Sequence, residues 1–247
     1  MPKKHPKMVV KQAFASAAEF KAFLLQGRVI SLMSTEGGTD KVTSYVTTLD
    51  QAVEASKVPS CYFMLEDAAT LLRSDVSNLK AFRKNFSDDF GDVSNKAIAN
   101  NPSLREAHGD LEVLNGGRSI IFFRAADNSP YVEVDGLHKS STTLLLNEAK
   151  TRVHEGDVVA LAGCDGDTTR RRSTREKLEH VLAHPTLFYS APAGVIEQLA
   201  GLKVVVIAST MSFSAEASQA CAKLGVHQLS QDGSGFECTL GSQAAAL

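Results

Sequence analysis

Two apolar segments that each run into charged residues constrain the fold of this chain most. The segments are "YVEVDGL" and "TTLLLNEAKTRV"; Asp135 lies near the end of the first, and Glu148 and Lys150 lie within the second. Apolar and β-branched residues in such runs predict buried strands. Ionised side chains are costly to bury unpaired. These three charges must therefore be compensated by one another, by a metal ion or by a ligand.

The two-residue period of a strand predicts how these side chains are arranged. Side chains two positions apart share a face, so Glu148 and Lys150 project together, while Asn147 and Ala149 point the other way. The two segments are joined by the short stretch "HKSS", which predicts antiparallel neighbours. Asp135 then converges on Glu148 if the sheet bends or the strands splay near Asp135.

The flanking segments predict an α/β fold. We expect a helix over "SLREAHGDLEVLN", capped by Ser103 and stopped by Gly116 and Gly117, followed by a strand "SIIFFRA" and a turn "ADNSP". With the two segments above, this gives a three-stranded meander. A helix around "STREKLEHVLAH", a buried strand "KVVVIAS" and a helix "SAEASQACAKLG" follow. The order predicts a mixed central β-sheet flanked by helices.

The texture of the sequence changes near residue 100. Before it, "SAAEFKAFLL", "TLDQAVEAS" and "VSNLKAFRKNF" carry apolar residues at helical spacing, while "GRVISLMS" and "SCYFMLE" fit either a strand or a helix. The polar stretch "NFSDDFGDVSNKAIANNPS" is the candidate connector. We therefore expect a mainly helical N-terminal region over residues 1–98 and an α/β domain over residues 99–247.

Composition narrows the functional classes. A length of 247 residues with 43% hydrophobic content suffices for a substantial core, and a net charge of -2 excludes a protein that is basic overall. Nucleic-acid binding would then need a local positive patch. Four widely spaced cysteines without a CxxC pair favour a reducing intracellular setting, in the cytoplasm or nucleus. The absence of an apolar run near 20 residues predicts no membrane span.

Asp135, twelve intervening residues and then Glu148-Ala149-Lys150 carry a resemblance to a known family. This string, set at the ends of two consecutive strands, resembles the PD-(D/E)xK nuclease superfamily with its restriction-endonuclease-like fold, over roughly residues 100–240. Val134 stands where that family has Pro. The tail "GVHQLSQDGSGFECTL" is also similar to the nuclease-like C-terminal domains of Crinkler-type effectors.

The resemblance implies a nuclease that uses Mg²⁺ or Mn²⁺ to hydrolyse phosphodiester bonds, with DNA favoured over RNA. Asp135, Glu148 and the backbone carbonyl of Ala149 would bind the metal, since hard divalent cations prefer oxygen ligands. Lys150 would hold the attacking water and offset phosphate charge. The family often adds an acid from the first helix, for which Glu106 is the first choice and Glu112 the second.

A basic stretch, "TTRRRSTREK", is the candidate nucleic-acid contact. It contains Arg170, Arg171, Arg172 and Arg175, and arginines at a helix start oppose the helix dipole, which favours an external reason for the cluster. A solvated helix start is the alternative for each of them. His138 is either a substrate contact or, as we favour, a turn histidine.

Other interpretations of the same residues stay open. Glu148 and Lys150 also fit an exposed charge pattern on an edge strand, and Asp135-Gly136 also fits a simple turn. The main functional alternative is a catalytically inactive nuclease-fold module that binds nucleic acid or a protein partner. A third possibility is a structural protein without a metal site.

Overall fold

Two long parallel strands form the centre of the largest sheet. In the computed structural model, which describes residues 8–10, 12–26, 29–34, 48–57, 61–65, 90–164 and 171–241, these strands are β8 (Thr143–Val153) and β10 (Lys203–Phe213). They pair in parallel from Thr143↔Lys203 to Val153↔Phe213. Both are rich in apolar residues and largely buried, as strands covered on two faces require.

The remaining strands of this sheet make it mixed. They are β4 (Glu112–Val113), β7 (Gly136–Lys139), β11 (His227–Asp232) and β12 (Gly235–Thr239), in the order β12-β11-β10-β8-β7-β4. Strand β11 is parallel to β10, whereas β7 is antiparallel to β8 and β4 is antiparallel to β7. The predicted α/β fold with a mixed central sheet and flanking helices is thus confirmed.

A second, antiparallel sheet contains β5 (Ile120–Arg124), β6 (Pro130–Val134) and β9 (Phe188–Ala191), with β5 in the middle. Only Asp135 separates β6 from β7, so the chain passes from one sheet to the other at this residue. The segment predicted as one strand of a three-stranded meander is therefore two strands in two sheets. The apolar pattern continues across Asp135, which is why the sequence did not reveal the break.

Helices cover the main sheet. They are α3 (described over residues 90–100), α4 (Pro102–His108), α5 (Glu155–Ala162), α6 (Thr174–Ala183) and α7 (Ala215–Leu224). Helix α6 begins at a capping box of Ser173 and Glu176, and α7 begins at Ser214 and ends at Gly225, where φ is +68°. Helix α5 was not predicted.

Two predictions about the start of this region are wrong. The candidate connector is helical over residues 90–100, because Phe90, Ser94 and Ile98 follow helical spacing on a buried face. The next helix, α4, is capped by Asn101 rather than Ser103. It ends at Gly109, where φ is +83°, well before the predicted stop at Gly116.

The two faces of β8 have different neighbours. Leu144 and Leu146 belong to the core cluster that includes Val158 of α5 and Leu178 and Val181 of α6. Because side chains two apart share a face, Glu148 and Lys150 project toward the side that α5 and α6 cover. Leu145, Asn147 and Ala149 point to the opposite face.

The chain divides into two compact units. One unit comprises Gly91–Ser230 and Glu237–Leu247. It contains the strands and helices described above except for Phe90 and residues 231–236, which include the end of β11 and the start of β12. The other comprises Met1–Phe90 and Gln231–Phe236. The sequence placed the boundary later, at residue 98.

The N-terminal unit is partly helical. It contains α1 (Ala17–Gln26), α2 (Leu49–Ser56) and a three-stranded sheet of β1 (Met8–Val10), β2 (Val29–Ser34) and β3 (Cys61–Leu65) in the order β1-β3-β2. The two segments that fitted either a strand or a helix are thus strands. Phe14, Phe20 and Phe23 pack together, with ring centroids of Phe14 and Phe20 5.1 Å apart.

None of the helices in the described ranges is both long enough and apolar enough to cross a bilayer.

Candidate active site

Asp135 lies at the bend between β6 and β7 and turns its carboxylate toward β8. Its Oδ2 accepts a hydrogen bond of 2.9 Å from the backbone N–H of Ala149. The pairing of β7 with β8 ends at Gly136↔Asn147, so Asp135 occupies the next position along the ladder, opposite Glu148. The bend that the sequence required for Asp135 to converge on Glu148 is present.

Glu148 and Lys150 lie together on one face of β8, as their spacing predicted. The Nζ of Lys150 is 3.6 Å from Oε1 of Glu148, and the two side chains are 38% and 25% exposed. The pair is therefore neither fully solvated nor sealed from solvent. This partial burial does not fit an exposed edge pattern, because β8 is an interior strand flanked by β7 and β10.

A third acidic residue, Asp157, completes the charged cluster and was not predicted. Its Oδ1 lies 2.9 Å from Nζ of Lys150, and its Oδ2 accepts the backbone N–H of His154 at 2.9 Å. Asp157 stands in the first turn of α5, where an acid favourably meets the helix dipole. The sequence signal for this helix is the segment "HEGDVVALAG". In it, Val158 and Leu161 follow Asp157 at helical spacing, and a glycine ends the segment.

These contacts shift the pKa values of the central pair. Burial, followed by the negative charge of Asp135, raises the pKa of Glu148 to about 7, although the Lys150 ammonium acts in the opposite direction. Burial alone would lower the pKa of Lys150, but its bond to Asp157 and the charges of Glu148 and Asp157 raise it overall. Lys150 is therefore charged at neutral pH, and Glu148 retains a proton on a substantial fraction of molecules.

The donor set fits a hard divalent cation. Asp135 and Glu148 are carboxylates close enough for one to raise the pKa of the other, and a cation between them would remove that repulsion. In a strand, the C=O and N–H of one residue face the same neighbour. The carbonyl of Ala149 therefore faces the side of Asp135, beyond the last β7 pair.

Protein ligands supply only part of a coordination shell here. Within the described ranges, no group of three or more His, Cys, Asp or Glu side chains is arranged to hold a metal ion. Mg²⁺ typically binds proteins through one or two carboxylates and keeps several waters or phosphate oxygens. Two carboxylates and one carbonyl thus suit Mg²⁺ or Mn²⁺ better than a structural zinc.

The opposite face of β8 carries a neutral polar network, which we call the Asn147 network. Its members are all fully buried: Ser94, Asn95, His138, Asn147 and Ser209. Asn95 Oδ1 accepts hydrogen bonds from Asn147 Nδ2 at 2.9 Å and from His138 Nε2 at 3.0 Å. Ser209 Oγ donates to Asn147 Oδ1 at 2.6 Å.

The Asn147 network also fixes the bend. Asn95 Nδ2 donates to the carbonyl oxygens of Gly117 at 2.7 Å and Asp135 at 3.1 Å. A Cβ atom at Gly136 would lie 2.0 Å from Asn95 Oδ1, so only glycine allows this approach. His138 is thus a buried strand residue with a pKa lowered to about 4 by burial, not a turn histidine, and it does not reach the charged cluster.

Neither acid proposed from the region before β5 belongs to the charged cluster of Asp135, Glu148, Lys150 and Asp157. Glu106 is exposed on α4, and its charge is not among those that act on Glu148. Glu112, the second choice, forms an ion pair of 3.2 Å with Lys139. The third acid of the cluster is Asp157, which contacts Lys150, whereas the sequence predicted Glu106 as a further catalytic acid.

The predicted arginine contacts differ from one another. Arg170 lies outside the described residues, and Arg171 is exposed. Arg172 is exposed and donates to the hydroxyl of Tyr131 at 3.1 Å. Arg175 pairs with Glu179 one turn along α6, at 2.9 Å, so that its charge is partly offset.

Comparisons with known proteins do not identify a relative. No family model matches the chain, and neither a curated protein nor a solved structure is significantly similar to it.

Proposed function

We propose that this protein is a Mg²⁺- or Mn²⁺-dependent nuclease of the PD-(D/E)xK type that hydrolyses phosphodiester bonds, with DNA favoured over RNA as substrate. The observation that carries the proposal is the convergence of Asp135 from the β6–β7 bend with Glu148 and Lys150 of β8. This combination of two carboxylates and a lysine is the one that the sequence resemblance assigns to phosphodiester hydrolysis.

The residues of the site would divide the work as follows. Asp135, Glu148 and the backbone carbonyl of Ala149 would hold the divalent cation, which would supply charge neutralisation at the phosphate and activation of a water. Lys150, kept charged by Asp157, donates hydrogen bonds to the attacking water and offsets the charge that develops on the phosphate. Because the pKa of Glu148 is about 7 without a metal, binding of the cation near neutral pH would release its proton from part of the molecules.

Asp157 acts through Lys150 rather than on the substrate. Its carboxylate is held by the His154 N–H, and it holds the lysine ammonium at 2.9 Å. This arrangement restricts the rotamers of a flexible side chain and so preorganises the ammonium beside Glu148.

The same ion pair favours the alternative function. If Asp157 binds the ammonium so firmly that Lys150 does not reach a substrate, the protein is a catalytically inactive module that keeps the nuclease fold and binds nucleic acid. We place either form inside the cell, in the cytoplasm or nucleus, because Cys164, Cys221 and Cys238 are free thiols.

A cleavage assay distinguishes the two functions. Supercoiled plasmid and labelled single-stranded DNA and RNA are incubated with Mg²⁺, with Mn²⁺ or with EDTA. We expect cleavage that requires the metal and is lost in Glu148→Ala, while Glu106→Ala, on the exposed α4, cleaves like the wild type. Substrate that stays intact with the wild-type protein under all conditions would refute the nuclease proposal.

A further inference from the structure

A cluster of basic side chains surrounds Tyr131 at the start of β6. We call it the Tyr131 cluster; its members are Arg124, Tyr131, Arg172, His180 and His184. Arg172 Nη1 donates to the Tyr131 hydroxyl at 3.1 Å, and the guanidinium of Arg124 lies 4.7 Å from the ring centroid. The hydroxyl also lies 3.2 Å from His180 Nδ1, and the rings of His180 and His184 are 4.9 Å apart.

Positive charge in this cluster is only partly compensated from within the protein. Burial and the charges of Arg172 and His184 lower the pKa of His180, and no acid is among the groups acting on it. Asp127, in the turn after β5, interacts with Arg124 and offsets part of its charge. Arg124, Arg172 and His184 are all exposed, so an anion can reach them from solvent.

Tyr131 organises the cluster. Its hydroxyl contacts Arg172 and His180, and its ring contacts Arg124 through a cation–π interaction. Three basic side chains are thus brought together around one tyrosine. Its own ring packs on Phe188, with centroids 4.8 Å apart. A preorganised pair of guanidinium groups is suited to phosphate oxygens.

The Tyr131 cluster is also close to the candidate active site along the chain, since β6 ends directly before Asp135. Tyr131 lies in β6 and Asp135 directly follows the end of that strand, four residues on, which is roughly 13 Å at the usual rise per residue. That is about the span of four phosphates along one B-form strand. His180 and His184 belong to α6 and its end, and α6 covers the side of the sheet toward which Glu148 and Lys150 project.

We propose that the Tyr131 cluster binds the phosphate backbone of a nucleic acid and guides it toward Asp135 and Glu148. The inference rests on the proposed function for its direction, but the binding itself requires neither the metal nor cleavage. It assigns backbone contacts to Arg124, His180 and His184, which the sequence did not suggest. Of the predicted arginines it retains Arg172, and it leaves out Arg175, whose charge Glu179 offsets.

The test measures binding in EDTA, where cleavage does not occur. Fluorescence anisotropy with labelled single-stranded DNA, single-stranded RNA and duplex DNA is recorded from low to moderate salt for the wild type and for Arg124→Ala/Arg172→Ala. Both arginines are exposed, so the double variant should fold, which a thermal melt checks. The matched control is Lys96→Ala/Lys223→Ala, which removes the same charge from exposed positions on α3 and α7.

We expect the double arginine variant to bind roughly ten- to a hundredfold more weakly at low salt. The slope of log affinity against log salt should become less steep by roughly 1.4 to 1.8, the change expected when two phosphate contacts are lost. The control variant should keep the wild-type slope. Equal slopes in all three proteins, or a wild type that does not bind at low salt, would overturn the proposal.

The outcome is separable from that of the nuclease proposal. A protein that cleaves with Mg²⁺ but whose binding is unchanged by the double arginine variant would refute the cluster and leave the nuclease standing. A protein that binds through the cluster but never cleaves would support the cluster and favour the inactive module.

Discussion

Strand β8 carries polar side chains on both faces, and the two faces compensate for burial in different ways. On one face, Asn147 belongs to a neutral network that is fully buried, with short hydrogen bonds to Asn95 and Ser209. On the other face, Glu148 and Lys150 are ionisable and partly exposed, and repulsion from Asp135 contributes to the raised pKa of Glu148. The first arrangement pairs its polar groups with one another, apart from the buried His138 Nδ1. The second sets the carboxyl groups of Asp135, Glu148 and Asp157 around the ammonium of Lys150.

The two faces of β8 differ in role: the neutral face stabilises the local structure, and the charged face carries the ionisable groups. The Asn147 network holds the bend at Asp135 through Asn95 and leaves no room for a side chain at Gly136. Buried networks of satisfied polar groups rigidify a fold. Clusters of ionisable groups with shifted pKa values are common at functional sites. One strand thus carries the supporting structure on one side and the candidate active site on the other.

The largest expected effect comes from substituting one residue on each face. If Lys150 stabilises the charge of the transition state, Lys150→Ala should lower the cleavage rate by roughly a hundred- to a thousandfold. Its side chain is 38% exposed, so the loss of stability should be small. Asn147→Ala should instead reduce the free energy of unfolding by about 2 to 3 kcal/mol, because Asn95 and Ser209 lose their buried partner.

Steady-state cleavage and urea unfolding of both variants check this contrast. The rate per folded molecule of Asn147→Ala should stay close to the wild-type rate. Full activity in Lys150→Ala would remove the nuclease proposal, and a comparable loss of activity in both variants would break the distinction between the two faces.

Metal removal is the next largest effect. Because a cation relieves the repulsion between Asp135 and Glu148, Mg²⁺ or Mn²⁺ at a hundredfold excess over its dissociation constant should stabilise the fold by about 2.7 kcal/mol. Thermal melts with metal and with EDTA measure this difference. Asp135→Asn should lose it, while Asn147→Ala, on the neutral face, should retain it. An equal shift in wild type and Asp135→Asn would place any bound metal elsewhere.

The pH dependence of stability tests the charged face without metal. The pKa of Glu148 is raised from 4.5 to about 7 in the folded state, so the folded protein holds this proton more tightly than the unfolded chain does. This contribution to stability is present below pH 4.5 and is lost as the pH rises through about 7. The loss should be on the order of 2 kcal/mol.

Glu148→Gln provides the reference for that measurement. Denaturant unfolding in EDTA at pH 5 and pH 8 should show that the wild type loses more stability on going to pH 8 than the variant does. His138 has a lowered pKa, but it titrates in the same way in both proteins, so the difference isolates Glu148. Parallel pH dependences would show that the carboxyl of Glu148 is not perturbed.

The sequence predicted the charged face better than the neutral one. The spacing of Glu148 and Lys150 on a strand places them on one face whatever surrounds them, so their proximity followed from local geometry. The break at Asp135 did not, because it depends on Asn95, 40 residues away, approaching Gly136. The sequence predicted a connector over residues 90–100 because the burial of Ser94 and Asn95 depends partly on bonds to Asn147, more than 50 residues away.

Asp157 was missed for a related reason. The short helix α5 combines a charged start with an unbroken apolar run over residues 158–162, so its helical periodicity is weak. Its contact with Lys150 joins two elements that only the fold brings together. The position of Glu106 was likewise taken from the family pattern rather than from a contact. The local sequence pattern therefore predicted that Glu148 and Lys150 lie together. The residues that contact them depend on long-range packing, which the pattern does not contain.

The smallest expected effect concerns Asp157 and tests whether it positions Lys150. Asp157→Asn retains an oxygen that can accept the His154 N–H, but it removes the negative charge from Lys150. We expect the turnover number to fall about tenfold with little change in KM, since the lost interaction serves the transition state. Acetylation of Lys150 by an N-hydroxysuccinimide ester, followed by peptide mass spectrometry, should become faster, because loss of the Asp157 charge lowers the pKa of Lys150 and so raises the fraction of reactive neutral amine.

Helix α6 provides a matched control for the loss of a helix-start acid. Glu176 accepts the N–H of Ser173 at 2.6 Å, as Asp157 accepts that of His154, but its charge is not among those that act on Glu148 or Lys150. Glu176→Gln should therefore leave both turnover and Lys150 labelling unchanged. If both substitutions lower turnover equally and neither changes labelling, Asp157 only caps α5. Labelling is measured without substrate, so it reports on the contact between Asp157 and Lys150 even in a protein that does not cleave. Unchanged labelling in Asp157→Asn would show that Asp157 does not position Lys150.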